Sequence, residues 1–476
     1  MKNAKKLFLV LAIAVFAIAC VACGKKDNDD NKTTTTPTAA TQAPTAATTT
    51  ATPEPTKPAR DLKGIEVSIV DWWSGDNWNQ ANNAYQEAYW EMMNDAMKAN
   101  NFTFTRKNVG GWGNEYTEAA MLSITNNEPQ GSIITFDNTW VASLLSQGAF
   151  LDVSNLPSID WTDKKWNKAA IEVMTINGGI YGFAAGFEPR TGVFFNKPLF
   201  KQFNVDTDLP YQLQAEGKWS WDEFEKLCKE LTKDTNNDGV TDVYGVTGQN
   251  TVFFTAALMT NGTFVITKDD SGKLMMNAKD PKVLEALNWA HKILDEGYFS
   301  LAKEGDEWDY FKADFFDGEA AMWVEEEYAI SQGIAEHSMD VGFVTFPYGP
   351  AVGKPIAICR ENILIIPSCP ATKDIADDIA FAYNIYTDVP EGYEDDDARW
   401  KASYETVFND EKAVTETINW IINKYDSYMN DGMLIANFRP DWLYNLGDAA
   451  GVPSTILEEY SAEWQTQVDE FNATLK

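Results

Sequence analysis

The strongest constraint on what this chain can fold into is an alternation of two periodicities that begins at Ile65. Residues 65–70 (Ile-Glu-Val-Ser-Ile-Val) alternate apolar and polar with period two, as a half-buried strand does. Residues 81–100 then place Tyr85, Tyr89, Met93 and Met97 at helical spacing. The pattern repeats: strand at 102–105, helix at 115–125, strand at 133–136, and a helix at 139–147 that Gly148 stops. A βαβαβα series implies a largely parallel sheet with helices on its faces. After Gly178-Gly179 the pattern restarts, with short strands at 180–183 and 193–195 and a helix at 197–203. Ser220-Trp221-Asp222-Glu223 reads as a capping box opening a helix to Lys233, and Asp280-Pro281 starts another. Strands are expected at 320–324 and 341–346 around a helix at 327–335, then a strand at 363–367 and a helix at 373–387. The last third is mainly helical, with an acidic loop at 391–397. Two α/β lobes joined by more than one crossing of the chain fit this order.

The residues before Ile65 are of another kind. Lys2, Lys5 and Lys6 precede an uncharged apolar run at 7–22, which ends at Ala22-Cys23-Gly24. A basic start, a short apolar core and small residues read as a secretory signal. Its sixteen residues fall short of the ~20 a membrane-spanning helix needs. A cysteine after a small residue resembles the bacterial lipobox, which implies cleavage before Cys23 and a lipid on it. Cys20 stands where that pattern has a bulky aliphatic, so Cys20 stays open as the alternative; Gly24 and Lys25 favour Cys23. Residues 33–58 hold twelve Thr and five Pro, too little apolar surface to offset the entropy of ordering. A disordered tether is expected there, reaching about 80 Å at the polyproline rise.

The formal charge is −33, and loss of a signal carrying three lysines makes it more negative still. Such a field repels nucleic acid and anionic lipid surfaces. With only His291 and His337 in the chain, a multi-histidine zinc site or a Ser-His-Asp triad lacks its parts. Cys228, Cys359 and Cys369 are expected as thiols, because an extended 359–369 segment spans roughly 33 Å, beyond disulfide reach.

Ligands of open α/β sheets sit outside the carboxyl ends of strands. The loops there are rich in Trp: Asp71-Trp72-Trp73-Ser74-Gly75-Asp76 after the first strand, Gly110-Gly111-Trp112 after the second, Asp137-Asn138-Thr139-Trp140 after the third. Aromatic faces stack on the C–H faces of sugars, while carboxylates and amides take hydroxyl hydrogen bonds. Glu188-Pro189-Arg190 at the expected lobe crossing is a candidate clamp. In Glu325-Glu326-Glu327-Tyr328, Tyr328 and one glutamate, taken as Glu326, are further candidates; a carboxylate at a helix start is also favoured by the helix dipole alone. Asp234, Asn236, Asp238, Val240 and Asp242 match the first nine positions of an EF-hand-like calcium loop, with Gly239 at the tight turn. The usual bidentate Glu is absent, since Gly245 stands there. Another segment supplies that ligand, or the loop binds weakly, or it is an Asp/Asn-stabilised turn. No cofactor is required by this reading, and calcium would be structural.

In sequence order, residues 132–154, Gly179-Ile180-Tyr181-Gly182, residues 193–200 (VFFNKPLF), residues 219–224 (WSWDEF) with the Asp234 loop, and residues 316–322 (FDGEAAM) form a set. Together they resemble the extracellular solute-binding lipoproteins of bacterial carbohydrate ABC importers, the group that includes maltodextrin receptors. The resemblance spans nearly all of 62–471; Gln130-Gly131-Ser132 departs from the family's usual Pro-Asp. It implies a type II periplasmic-binding-protein fold, α/β in class, with two lobes closing on a ligand. The implied division is 1–22 signal, 23–60 tether, 61–180 first lobe, 181–358 second lobe, 359–400 return to the first lobe, and 401–476 a helical segment packing on the second. The implied cleft takes Trp73, Asp76, Asp137 to Trp140, Glu188 and Tyr328, with Trp442 as a late stacking aromatic. The implied role is capture of a carbohydrate, an oligosaccharide first, for delivery to permease subunits. The implied setting is a lipid-anchored monomer outside the cell membrane of a Gram-positive-type bacterium. A receptor for a peptide or polyamine, and a lipid-anchored glycoside hydrolase with paired acids, are the competing expectations.

Overall fold

The computed structural model describes residues 59–186, 190–269, 271–333, 339–394, 398–405, 407–435, 441–447 and 451–474. The signal, Cys20, Cys23 and nearly all of the tether lie outside these residues, as do Glu188, His337, the whole 436–440 stretch before Trp442, and the tip of the acidic loop. Among the described residues no helix is long and apolar enough to cross a membrane.

The first sheet is built by β1 (Ile65–Asp71), β2 (Phe102–Asn108) and β3 (Ile133–Phe136), with α1 (Ala84–Asn100) and α2 (Asn114–Thr125) as crossovers. β1 pairs in parallel with β2 and with β3, as the periodicity requires. The second sheet holds β4 (Thr191–Asn196), β5 (Thr247–Gly248), β6 (Met322–Glu326) and β7 (Val341–Thr345). A late strand, β8 (Ile363–Ile365), returns to the first sheet and runs antiparallel to β3. The second sheet departs from the parallel expectation: β4 is antiparallel to both β6 and β7, and only β5 runs with β6.

Burial on both faces explains why β4 reads as an unbroken apolar run. Val193 and Phe195 join one core with Phe200, Tyr211 and Val324, while Phe194 turns the other way onto Trp323, Phe343 and Phe408. Large rings in adjacent strands need glycine opposite them. A Cβ placed on Gly342 would lie 2.0 Å from Phe195 Cζ, and one on Gly192 would lie 2.4 Å from Phe343 Cζ.

Several boundaries shift from expectation for local reasons. The strand near residue 322 runs on to Glu326, and the following helix is a 3-10 turn, Glu327–Gln332. The helix after Ser220 spans Trp221–Leu231, but the Ser220 side chain makes no capping hydrogen bond. Phe183 N–H donates to Leu364 O and Leu364 N–H to Phe183 O, so the chain is still tied to the first sheet beyond residue 180. Gly186 N–H still donates to Lys165 O, and the second sheet begins at Thr191. The helix Pro453–Thr474 lies on the hairpin at Leu274–Met276, where the Asn472 amide exchanges hydrogen bonds with the Leu274 backbone at 3.0 and 2.8 Å.

Overpacking a filled core costs about 1–3 kcal/mol. Gly342→Val is expected to lose at least that much by urea unfolding, with Phe195 forced off its position; unchanged stability would mean the ring has room to move.

Candidate functional site

Strand direction gathers the site. The carboxyl ends of the parallel β1, β2 and β3 share one edge. In the second sheet the ends of β5, β6 and β7 meet the start of β4, since Thr191 pairs with Glu326 and Gly192 with Thr345. Between these edges lies a cleft of about 1110 Å³.

Its first wall is made by three turns. Asp71, fully buried at the end of β1, accepts from Trp73 N–H (3.0 Å), Ser74 N–H (2.7 Å) and Ser74 Oγ (2.6 Å). Its other partner is Arg106 Nη2 at 2.7 Å, and that guanidinium lies 5.6 Å from the Trp73 ring centre. The turn thus fixes Trp73 at the cleft with half its surface open. Gly110 and Gly113, at φ of 152° and 145°, carry the loop that presents Trp112, which is 63% exposed. Asp137 Oδ1 accepts from Thr139 N–H (2.9 Å) and Thr139 Oγ1 (2.6 Å), winding the one-turn helix Asn138–Trp140. Trp140 props the other rings: its centroid is 5.3 Å from Trp112 and 5.2 Å from Trp72.

On the facing wall Tyr328 stands on the 3-10 turn after β6, and the Arg190 guanidinium lies 5.5 Å from its ring centre. The Glu326 carboxylate is nearly buried and is shared. Arg360 Nη1 donates to its Oε1, and Arg190 Nη1 lies 3.7 Å from its Oε2.

The structure therefore brings Trp73, Trp112, Asp137, Asn138, Arg190, Glu326, Tyr328 and Trp442 to one cleft. Asp76 is exposed outside its lining, and Trp140 sits behind it as a support. Trp442 is in the wall but fully buried, packed edge-on against Trp464, so it has no open ring face for stacking. Tyr444, two residues on, is 45% exposed in the cleft and its hydroxyl accepts from Gln249 Nε2 at 3.1 Å. Sequence reasoning missed Tyr444, Gln249 and Trp308, the last being 74% exposed with the Lys312 ammonium 5.5 Å from its ring centre.

The Asp234–Asp242 loop lies apart from this lining. Asp234 accepts from the N–H groups of Asn237, Asp238 and Gly239, and Asp242 Oδ2 from Thr235. Among the described residues no three His, Cys, Asp or Glu side chains gather as a metal cage. These hydrogen bonds within the loop shape its turn.

The model of the bacterial extracellular solute-binding proteins matches residues 91–383, well over half of the sequence. This chain belongs to that family. No curated protein sequence matches it. Among solved structures it is similar to the GacH receptor of Streptomyces glaucescens, described unliganded and with acarbose: 15% identity, 86% of this chain and 99% of that one, TM-score 0.57. It is also similar to the cyclic alpha-maltosyl-1,6-maltose binding protein of Arthrobacter globiformis, at 17% identity, 87% and 99% coverage, TM-score 0.58. A third, the extracellular solute-binding protein of Staphylococcus aureus in complex with maltose, gives 16% identity, 85% and 98% coverage, and TM-score 0.55. The fold is that of type II periplasmic binding proteins.

One carboxyl in the cleft of this solute-binding protein is out of its ordinary range. Burial, and then the neighbouring Glu326 carboxylate, push Glu325 up to about 7. The folded chain keeps a proton there that an unfolded glutamate, near 4.3, has released. The associated stability is full below about pH 4.3 and is lost as pH rises toward 7. Glu325→Gln is expected to raise the free energy of unfolding at pH 8, by on the order of 3 kcal/mol, and to leave it little changed at pH 4.5. An equal gain at both pH values would contradict the buried proton.

Proposed function

We propose that this solute-binding protein captures an oligosaccharide in the cleft and passes it to the permease of an ABC importer, held at the outer face of the membrane by a lipid on Cys23. The observation that carries the reading is the distribution of exposed rings. Large exposed aromatics among the described residues are Trp73, Trp112, Trp308, Tyr328 and Tyr444, and all five line the cleft. Aromatics exposed to water only where a ligand would lie, interleaved with Asp137, Asn138, Gln249, Arg190 and Glu327, suit a ligand with apolar C–H faces rimmed by hydroxyls. The cleft volume exceeds the roughly 300–1,000 Å³ of ordinary small-molecule pockets, which supports several sugar rings over one. Solved relatives described with maltose and with acarbose support the same ligand class.

The lobes would be 61–186 with the return at 359–400, and 190–358 with the helical segment at 401–476; sheet membership supports this division. The tether at 23–60 would let the body meet ligand away from the membrane and reach back to the permease. Metabolic labelling with a palmitate analogue should mark the wild-type chain and not Cys23→Ala; labelling lost only in Cys20→Ala would move the anchor.

A thermal-shift screen of glucan, mannan and xylan oligomers tests the ligand class, since a ligand that binds the folded state raises Tm by mass action. At least one series should stabilise the protein with no reducing ends released over time; turnover would make it a hydrolase, and stabilisation by putrescine or peptides alone would replace the sugar. Trp112→Ala should weaken the bound oligomer roughly tenfold, the usual worth of a stacked anchor ring. The ligand-free Tm in EDTA tests the Asp234–Asp242 loop: a drop would put calcium there, and an unchanged Tm would leave it a hydrogen-bonded turn.

A further inference from the structure

We propose that Glu326 is the pin of the hinge, a positioning residue that sets the angle between the lobes through two arginines on different crossings of the chain. The chain leaves the first sheet after Phe183, whose backbone still pairs with Leu364, and enters the second at Thr191. It comes back between the short strand Ala357–Ile358 and Ile363. Arg190 is the last residue of the outward crossing and Arg360 lies in the return crossing. Both guanidiniums reach the one Glu326 carboxylate, Arg360 at Oε1 and Arg190 at Oε2. The Arg190 carbonyl also accepts from Glu327 N–H at 3.2 Å, so backbone and side chain tie the outward crossing to the end of β6.

The first lobe has a matching anchor in Asn167. Its N–H donates to Ala184 O at 2.9 Å, its Nδ2 to Glu361 Oε1 at 3.2 Å, and its Oδ1 faces Cys359 Sγ at 3.7 Å. Asn167 thus holds the return crossing with its side chain and the end of the outgoing first-lobe segment with its backbone, while Glu326 grips both crossings from the second lobe. A carboxylate only 5% exposed, with an arginine at each oxygen, does not give up a partner cheaply, because the remaining charge stays buried. The three groups therefore move together or not at all. Tyr328, two residues on and under the Arg190 guanidinium, opens into the cleft, so a ligand on that ring touches the pin and biases the hinge.

The affinity arm of the test rests on the binding reading above; the shape arm does not. Small-angle scattering of the full chain without ligand should give a larger radius of gyration for Glu326→Gln and Arg360→Met than for wild type, and Arg360→Lys should restore it. Arg360→Met leaves Glu326 paired with Arg190, and it decides the matter if Glu326→Gln does not fold. With an oligosaccharide that stabilises wild type, Arg360→Met should bind roughly tenfold more weakly if the closure-competent fraction falls tenfold. Trp112→Ala should lose affinity at an unchanged ligand-free radius. A wild-type radius in folded Arg360→Met, or Lys behaving as Met, overturns the pin. Failure of every sugar to bind wild type defeats the binding reading, and the radii still decide the pin.

Discussion

Parallel pairing of β1 with β2 and β3 forces three strand ends to one edge, and the first wall of the cleft depends on that direction. Had the strands been joined as hairpins, alternate loops would have emerged at opposite edges and the tryptophans would have been divided between them. The second sheet reaches the same end by another route. Its mixed order sets the start of β4 beside the ends of β6 and β7, so Arg190 arrives at the same edge as Glu326 and Tyr328.

What each turn does with its strand end is decided by a few polar atoms. Asp71 and Asp137 use the same short-range device, a carboxylate accepting from N–H and hydroxyl groups two or three residues on. At the Asp71 turn these bonds satisfy N–H groups that are partly shielded from water. The two sets of bonds also aim Trp73 and the Asn138–Trp140 turn at the cleft.

The strands and helices of the first lobe were readable because their periods are local, and so were Trp73, Trp112 and Asp137, which follow strands directly. Tyr328 was readable for the same reason, and Arg190 because it stands at the expected lobe crossing. Trp308 was not, since it sits in an acidic stretch with no strand before it, and Tyr444 lies on a helix whose open face depends on Gln249, 195 residues away. Trp442 looked the better stacking ring by position, yet Trp464 and Phe264 fill the space around it. The joint use of Glu326 by Arg190 and Arg360 is likewise a contact across distant segments, which no pattern within a window can reveal. The antiparallel pairing of β4 escaped for the opposite reason: a strand buried on both faces carries no record of its neighbours' direction.

The prop beneath Trp112 has a thermodynamic consequence. An exposed indole on a glycine loop would ordinarily sample several rotamers, and fixing it costs about 0.5–1.5 kcal/mol at the moment of association. Here the tilted contact with Trp140, itself edge-on to Trp72, restricts that freedom in the folded chain before any ligand arrives. The loss of entropy is charged to folding, where a large core absorbs it, and the ring meets its partner already oriented.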